Sequence, residues 1–215
     1  MRVMCTGRID LSFILRAFSR GADGVFVGGC RLNECNYTTH GNYYALRITH
    51  ICRKLMERIG LDPDRLRMEL ISSGEGIRFA EIMNEFSATV RRLGPVGRGE
   101  GLDPATLGFR LRAAARIVPY IKLLERERFR VQFASREEFD RYFAGEEFDR
   151  LFDETVGTRL AMSQIVSLLE RGPMAVGEIA DALGLTPSEV SQHLGSSTRH
   201  GLIRYDEAHK RYAAA

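Results

Sequence analysis

The sequence predicts an α/β protein: a small parallel sheet with covering helices, followed by a helical linker region and a winged-helix domain. Three observations predict this. Over residues 1–94, short apolar runs alternate with amphipathic helical stripes, and such a βαβαβα series implies a parallel sheet with right-handed crossovers. A glycine-rich stretch, GPVGRGEGLD at 94–103, then leads into helices carrying phenylalanines at helical spacing. From about Thr158 the order is helix, helix–turn–helix and hairpin, which describes a winged helix. The expected domains are 1–94, 95–157 and 158–215.

Each element follows from its residues. Met1–Cys5 is a short apolar run that reaches a cysteine and the turn residues Thr6-Gly7, and it reads as a first strand. Asp10 caps a helix with Phe13, Ile14, Ala17 and Phe18 on one face, and Gly21 stops it. Gly24–Cys30 reads as the second strand, its run Val25, Phe26, Val27 suiting a strand covered on both faces. Asn42 caps a longer helix with the stripe Ala45, Ile48, Cys52, Leu55 and Ile59, ending at Gly60. Leu66–Ser72 reads as a third strand. Ser72 and Glu75 fit a capping box for a helix bearing Phe79, Ile82, Met83, Phe86, Val90 and Leu93.

Pro104 suits the first position of a helical stretch that runs to about Glu127 with a kink at Pro119. Ser135 and Glu138 form another capping box, ahead of Phe139, Phe143, Phe148 and Phe152. Core packing is the preferred reading of that series, over a partner-binding groove. Helix 158–171 leads to Gly172-Pro173, a helix through Val176–Leu183, and a turn at Gly184-Leu185. Thr186-Pro187-Ser188-Glu189 opens the next helix, and strand-like pieces follow around Leu202–Tyr205 and Lys210–Ala213.

The 215 residues leave room for one or two domains, and 44% hydrophobic with 27% charged residues is ordinary for a globular chain. The net charge of +3 divides as +4 over 1–95 (14 basic, 10 acidic), −1 over 96–157 (11 and 12) and 0 over 158–215 (6 and 6). No segment is strongly basic, which weakens any nucleic-acid reading. No apolar run is long enough to span a bilayer and no signal-peptide pattern opens the chain. No membrane insertion is expected, and the expected location is cytoplasmic. There, four cysteines read as metal ligands, redox groups or buried thiols before structural disulfides.

Cys5, Cys30 and Cys35 carry the sharpest chemistry. The C-termini of parallel strands share one edge, where loops gather functional groups. Cys5 and Cys30 would close neighbouring strands there, and Cys35 follows in the C-x4-C loop GGCRLNEC at 28–35. Thiolates suit iron–sulfur clusters or zinc. Cys52 lies about ten residues into its helix, roughly 15 Å along the axis, and reads as a small buried hydrophobe. His40 is better placed but reads as a solvated turn residue. The remaining ligand is expected from an upstream segment, a partner subunit or a non-protein donor. No general base, nucleophile or phosphate-binding signature stands out, and Gly28-Gly29 lacks the G-x-G-x-x-G spacing, so independent catalysis is not expected.

RVMCTGRID, GADGVFVGGCRLNECNY, GNYYALR and SSGEGIRFAEIMNEF, in this order over about 1–95, resemble the delta-subunit family of methyl-viologen-reducing hydrogenases. The resemblance implies an electron-transfer subunit holding one [2Fe–2S] cluster. It implies partners as well: a hydrogenase or other dehydrogenase subunit, and a heterodisulfide-reductase-like flavoprotein. Cys5, Cys30 and Cys35 match the family's cysteine positions. The family normally carries another strand and helix upstream, with a cysteine-rich stretch, and tends to have histidines where this chain has Arg31 and Asn36. The chain begins inside the next strand. Three alternatives stand open: another chain completes the ligand set, the start is misassigned, or the cluster is lost.

MAVGEIADALGLTPSEVSQHLGSSTRHGLIRY, 174–205, resembles the helix–turn–helix of arsenical-repressor-like winged helices, with Ile179, Ala182, Leu183, Val190, Leu194, Leu202 and Ile203 at its apolar positions. The second helix of such folds enters the major groove. Gln192 would read adenine, and Ser188 or Ser191 would reach phosphates. Glu189 repels phosphate, Gly195 weakens the helix, and the segment's zero net charge leaves little non-specific affinity. Protein docking is therefore preferred to DNA binding. The expected function is an electron relay between a hydrogenase or dehydrogenase module and the flavoprotein. The alternative is a redox-sensing winged-helix transcriptional regulator.

Overall fold

The computed structural model describes residues 2–37, 41–199 and 201–215. Helix α1, Leu11–Ser19, is capped by Asp10, whose carboxylate accepts from the Ser12 amide at 2.8 Å. Its buried face is Leu11, Ile14, Leu15 and Phe18. This stripe is rotated from the expected one: Phe13 stays 39% exposed, because the i, i+3, i+4, i+7 set starts at Leu11. Strands β1, Val25–Gly29, and β2, Leu66–Leu70, pair in parallel from Val25↔Leu66 to Gly29↔Leu70. A parallel pair needs a crossover, and helix α2, Gly41–Arg58, supplies it. Helix α3, Gly76–Leu93, follows and sets Phe86 against the Phe26 ring, 5.8 Å between centroids.

The sheet is a strand smaller than expected. Residues 2–5 are not a strand, and Cys5 instead caps the 3-10 turn Thr6–Arg8. The reason is burial: Arg2 and Met4 are exposed, so the run has no face to cover. Asn42 is not a cap either, since α2 already begins at Gly41. The 72–75 capping box is half made. The Glu75 carboxylate accepts from the Ser72 amide at 2.7 Å, but α3 starts after Glu75 and no side chain caps it.

In β2 the outer carbonyls of Leu66 and Met68 accept from Arg53 (2.8 Å) and Arg136 (3.2 Å) rather than from another strand. Arg65 is fully buried just before β2. Its guanidinium donates to the carbonyls of Asp23, Gly94 and Leu93 and to Glu100, fastening the segment 94–101 to the sheet. Gly99 shows how tight this is, because an added Cβ would lie 1.9 Å from the Leu93 carbonyl oxygen.

Helices α4, Pro104–Arg116, and α5, Val118–Glu127, meet at Ile117, so the break precedes Pro119. Helices α6, Arg136–Phe143, and α7, Glu146–Phe152, carry Phe139, Phe143, Phe148 and Phe152, all buried. One core runs from Leu11 to Leu160 and includes these rings. A buried ion pair crosses it: Arg47 of α2 donates to Glu125 of α5 at 2.9 Å. A π-helical turn, Asp153–Gly157, joins α7 to α8, Thr158–Leu169. Helices α9, Val176–Leu183, and α10, Pro187–Arg199, with the antiparallel β3, Ile203–Asp206, and β4, Arg211–Ala214, complete the winged helix. Its own core gathers Ile165, Leu168, Leu169, Ile179, Val190, Leu194 and Ile203. Ala182 and Leu202, expected among its apolar positions, are exposed. Among the described residues, no helix is long and apolar enough to cross a membrane.

Candidate metal centre

Cys5, Cys30 and Cys35 line one cavity, and Cys5 and Cys35 lie closest together, although Cys5 sits on a turn and not at the end of a strand. Cys5 arrives on the turn before α1, and Cys30 and Cys35 on the loop after β1. The sulfurs of Cys5 and Cys35 stand 3.9 Å apart. The Gly7 amide donates to Cys5 Sγ at 3.4 Å. The thiols open on a cavity of about 520 Å³ lined by Arg2, Met4, Gly28, Glu34 and Tyr37 among others.

Gly41, the first residue of α2, is what lets the thiols meet. A Cβ there would lie 2.4 Å from Cys35 Sγ and 3.2 Å from Cys5 Sγ. Gly7 packs against the same point, its own added Cβ 2.9 Å from Gly41 Cα. The sequence signal for this, GN at the start of a helix, reads as a cap and hides a close approach.

Cys30 and Cys35 are electrostatically unequal. Burial, then the Cys35 neighbour, raises the Cys30 thiol to about 11. Burial also works to raise Cys35, but hydrogen bonds from the Tyr37 and Asn42 amides and from the other two thiols outweigh it and hold Cys35 low. Such an arrangement favours a thiolate at Cys35. Cys52 stands apart in the core, fully buried and pushed up to about 12. His40 lies outside the described residues.

The donor set fits a thiolate-bound metal group on two counts. Two thiolates on one tetrahedral ion, each about 2.3 Å away, lie about 3.8 Å apart, close to the Cys5–Cys35 spacing. The glycine cradle and sulfur-directed amides suit thiolate charge. Among the described residues, however, no group of three or more His, Cys, Asp and Glu side chains is arranged to hold a metal ion. The Cys5–Cys35 pair, not the trio, has ligand spacing.

Comparison with known proteins bears on this end of the chain. A family model described as methyl-viologen-reducing hydrogenase, delta subunit, matches residues 1–94. The iron-sulfur subunit of an F420-non-reducing hydrogenase from Archaeoglobus profundus is 52% identical over 95 residues, 44% of this chain and 69% of that one. The chain belongs to the methyl-viologen-reducing hydrogenase delta-subunit family. The vhc iron-sulfur subunit of the F420-non-reducing hydrogenase from Methanococcus voltae is 42% identical over 95 residues, 44% of this chain and 65% of its own. One subunit of the ferredoxin/F420H2-dependent CoB-CoM heterodisulfide reductase from Methanosarcina acetivorans is 45% identical over 97 residues, 45% of this chain but only 12% of its own. The delta-subunit likeness therefore stops near the end of α3.

A second family model, bacterial regulatory protein, arsR family, matches 161–203. In that winged helix Ser188, Ser191 and Gln192 are exposed on α10. Ser191 Oγ donates back to the Pro187 carbonyl at 2.8 Å. Glu189 shares their face, its carboxylate accepting from the Thr186 hydroxyl (2.7 Å) and amide (2.8 Å), which hold it below the usual carboxylate range. Arg211 on the wing is paired with Glu178 at 2.9 Å. The exposed face of α10 thus carries a fixed negative charge beside its polar residues.

Proposed function

We propose that this chain is an electron-transfer iron–sulfur subunit. It relays electrons between a hydrogenase or other dehydrogenase module and a heterodisulfide-reductase-like flavoprotein. The observation that carries the reading is the approach of Cys5 and Cys35 across Gly41, with Cys30 in the adjoining loop just after β1. The names of the similar proteins, iron-sulfur subunits of hydrogenases and a component of heterodisulfide reductase, support the same kind of assembly. On this reading Cys5, Cys30 and Cys35 hold one side of a [2Fe–2S] cluster, and at least one ligand comes from outside this set. The cluster supplies one-electron redox chemistry. The chain supplies the rest. Gly41 and Gly7 leave room for the sulfurs, the Gly7, Tyr37 and Asn42 amides offset thiolate charge, and the surrounding surface sets the approach of partners.

The test is anaerobic purification with the suspected partners, followed by iron and sulfide analysis and EPR. Iron and sulfide in equal amounts with a reducible EPR signal are expected. A chain without iron under those conditions ends the relay reading. A second reading, a redox-sensing regulator, draws on the arsR-type match, with Ser188, Ser191 and Gln192 as the DNA-facing residues. It requires a salt-dependent shift of promoter DNA, which the zero net charge of 158–215 makes weak at best. We favour a protein-docking role for this domain and a three-part division at 94 and 157.

A further inference from the structure

Asn42 is an expensive residue in its position. It sits in the first turn of the 18-residue α2, is completely buried, and caps nothing. Asparagine is a poor helix former, and a buried amide costs stability unless it is hydrogen-bonded. Its bonds all go to the thiol loop. Nδ2 donates to the Cys30 carbonyl (2.9 Å) and to the Arg31 carbonyl, and lies 3.9 Å from Cys30 Sγ. Asn42 therefore fastens the Cys30 end of the C-x4-C element to α2. Asn42 Oδ1 and Thr6 Oγ1 are also buried beside the thiols, without a hydrogen-bond partner among the described residues.

We propose that Asn42 is the positioning residue of the thiol centre, fixing Cys30 against α2 and placing its Nδ2 hydrogens beside Cys30 Sγ, where they set the potential of whatever the thiolates hold. The inference rests on the ligand reading of Cys5, Cys30 and Cys35. Partners of this kind around metal ligands are worth about 10–100-fold in affinity, and hydrogen bonds to sulfur raise reduction potentials.

The test uses the full chain. Metal-free protein is titrated with Co(II) alone, reading the sulfur-to-cobalt absorption. Asn42→Ala is expected to bind about 10–100-fold more weakly than the parent while its circular dichroism spectrum is retained. In anaerobically iron-loaded protein, the EPR-monitored midpoint potential of the variant is expected to move negative, which a purely structural residue would not cause. Asn42→Leu, which fills the same space without donors, replaces the alanine variant if that one fails to fold. Unchanged Co(II) affinity and unchanged potential in either folded variant overturn the inference, as does a parent chain that binds no Co(II). A parent that binds Co(II) more tightly than the variant but assembles no iron–sulfur centre supports the role of Asn42 and overturns the proposed relay instead.

Discussion

Single atoms decide the candidate centre. Gly41→Ala would drive a methyl group to within 2.4 Å of Cys35 Sγ. Cys5 Sγ at 3.2 Å and Tyr37 Cβ at 3.3 Å close the other directions, so the thiols must part. The expected outcome is loss of most bound iron per chain with helical content unchanged, read by iron analysis and circular dichroism. His50 makes a prediction of another kind. It stacks on Phe143, 4.8 Å between ring centroids, with Asp140, Arg53 and Arg136 facing it. Burial lowers it from 6.5 to about 4, against the pull of Asp140 and with help from Arg53 and Arg136. The unfolded chain therefore binds a proton that the folded chain refuses across that window. The contribution is complete above pH 6.5 and drains away as pH falls towards 4. Urea midpoints measured from about pH 7 to 4 should fall less steeply in His50→Gln than in the parent.

At the scale of elements, the phenylalanine helices α6 and α7 are structural. Phe148 is 1% exposed, in edge contact with Phe129 and Phe143. Phe148→Ala should cost about 3–5 kcal/mol in denaturant titrations. Phe79→Ala should cost much less, since Phe79 is 47% exposed on α3. Equal losses would contradict the burial difference. Helices with a strong stripe are legible in the sequence: Ala45, Ile48, Cys52, Leu55 and Ile59 are all buried along α2 and its end, and the Asp10 and Ser135 caps form as read. Local chemistry decides such features, and local chemistry is what a sequence displays. The run at 1–5 reads wrongly as a strand because three apolar residues in five say nothing of whether a face exists to bury them. Asn42 misleads for a related reason: a helix cap and a loop clamp use the same residue type, and only the tertiary position of Cys30 separates them. The sequence displays the cysteines, but not the glycine on which Cys5 and Cys35 meet.

For the whole molecule, the glycine-rich stretch at 94–103 is not a free tether. Arg65 and Glu100 bind it down. Burial works to raise the Glu100 carboxyl, but bonds from Arg65 and from the Asp62 and Gly97 amides outweigh it and hold it low. Its contribution is present above the unfolded carboxylate range near 4.5 and is lost as pH falls through the lower folded value. Glu100→Gln should flatten acid unfolding in that range and cost about 3 kcal/mol at neutral pH, because the Arg65 charge stays buried. Limited proteolysis at neutral pH should spare 94–103 in the parent, and cleavage there should appear in the variant. Early cleavage of the parent at this stretch would mean that Arg65 does not hold it.

A two-stranded sheet is all edge, and its edges govern what it adheres to at high concentration. Along β2 two guanidinium groups already occupy the outward carbonyls of Leu66 and Met68. An incoming strand would have to evict them and meet their charge. That side of the molecule is thereby guarded against the strand-to-strand stacking that starts aggregation, and the guard is made from the helices α2 and α6 rather than from the strand itself.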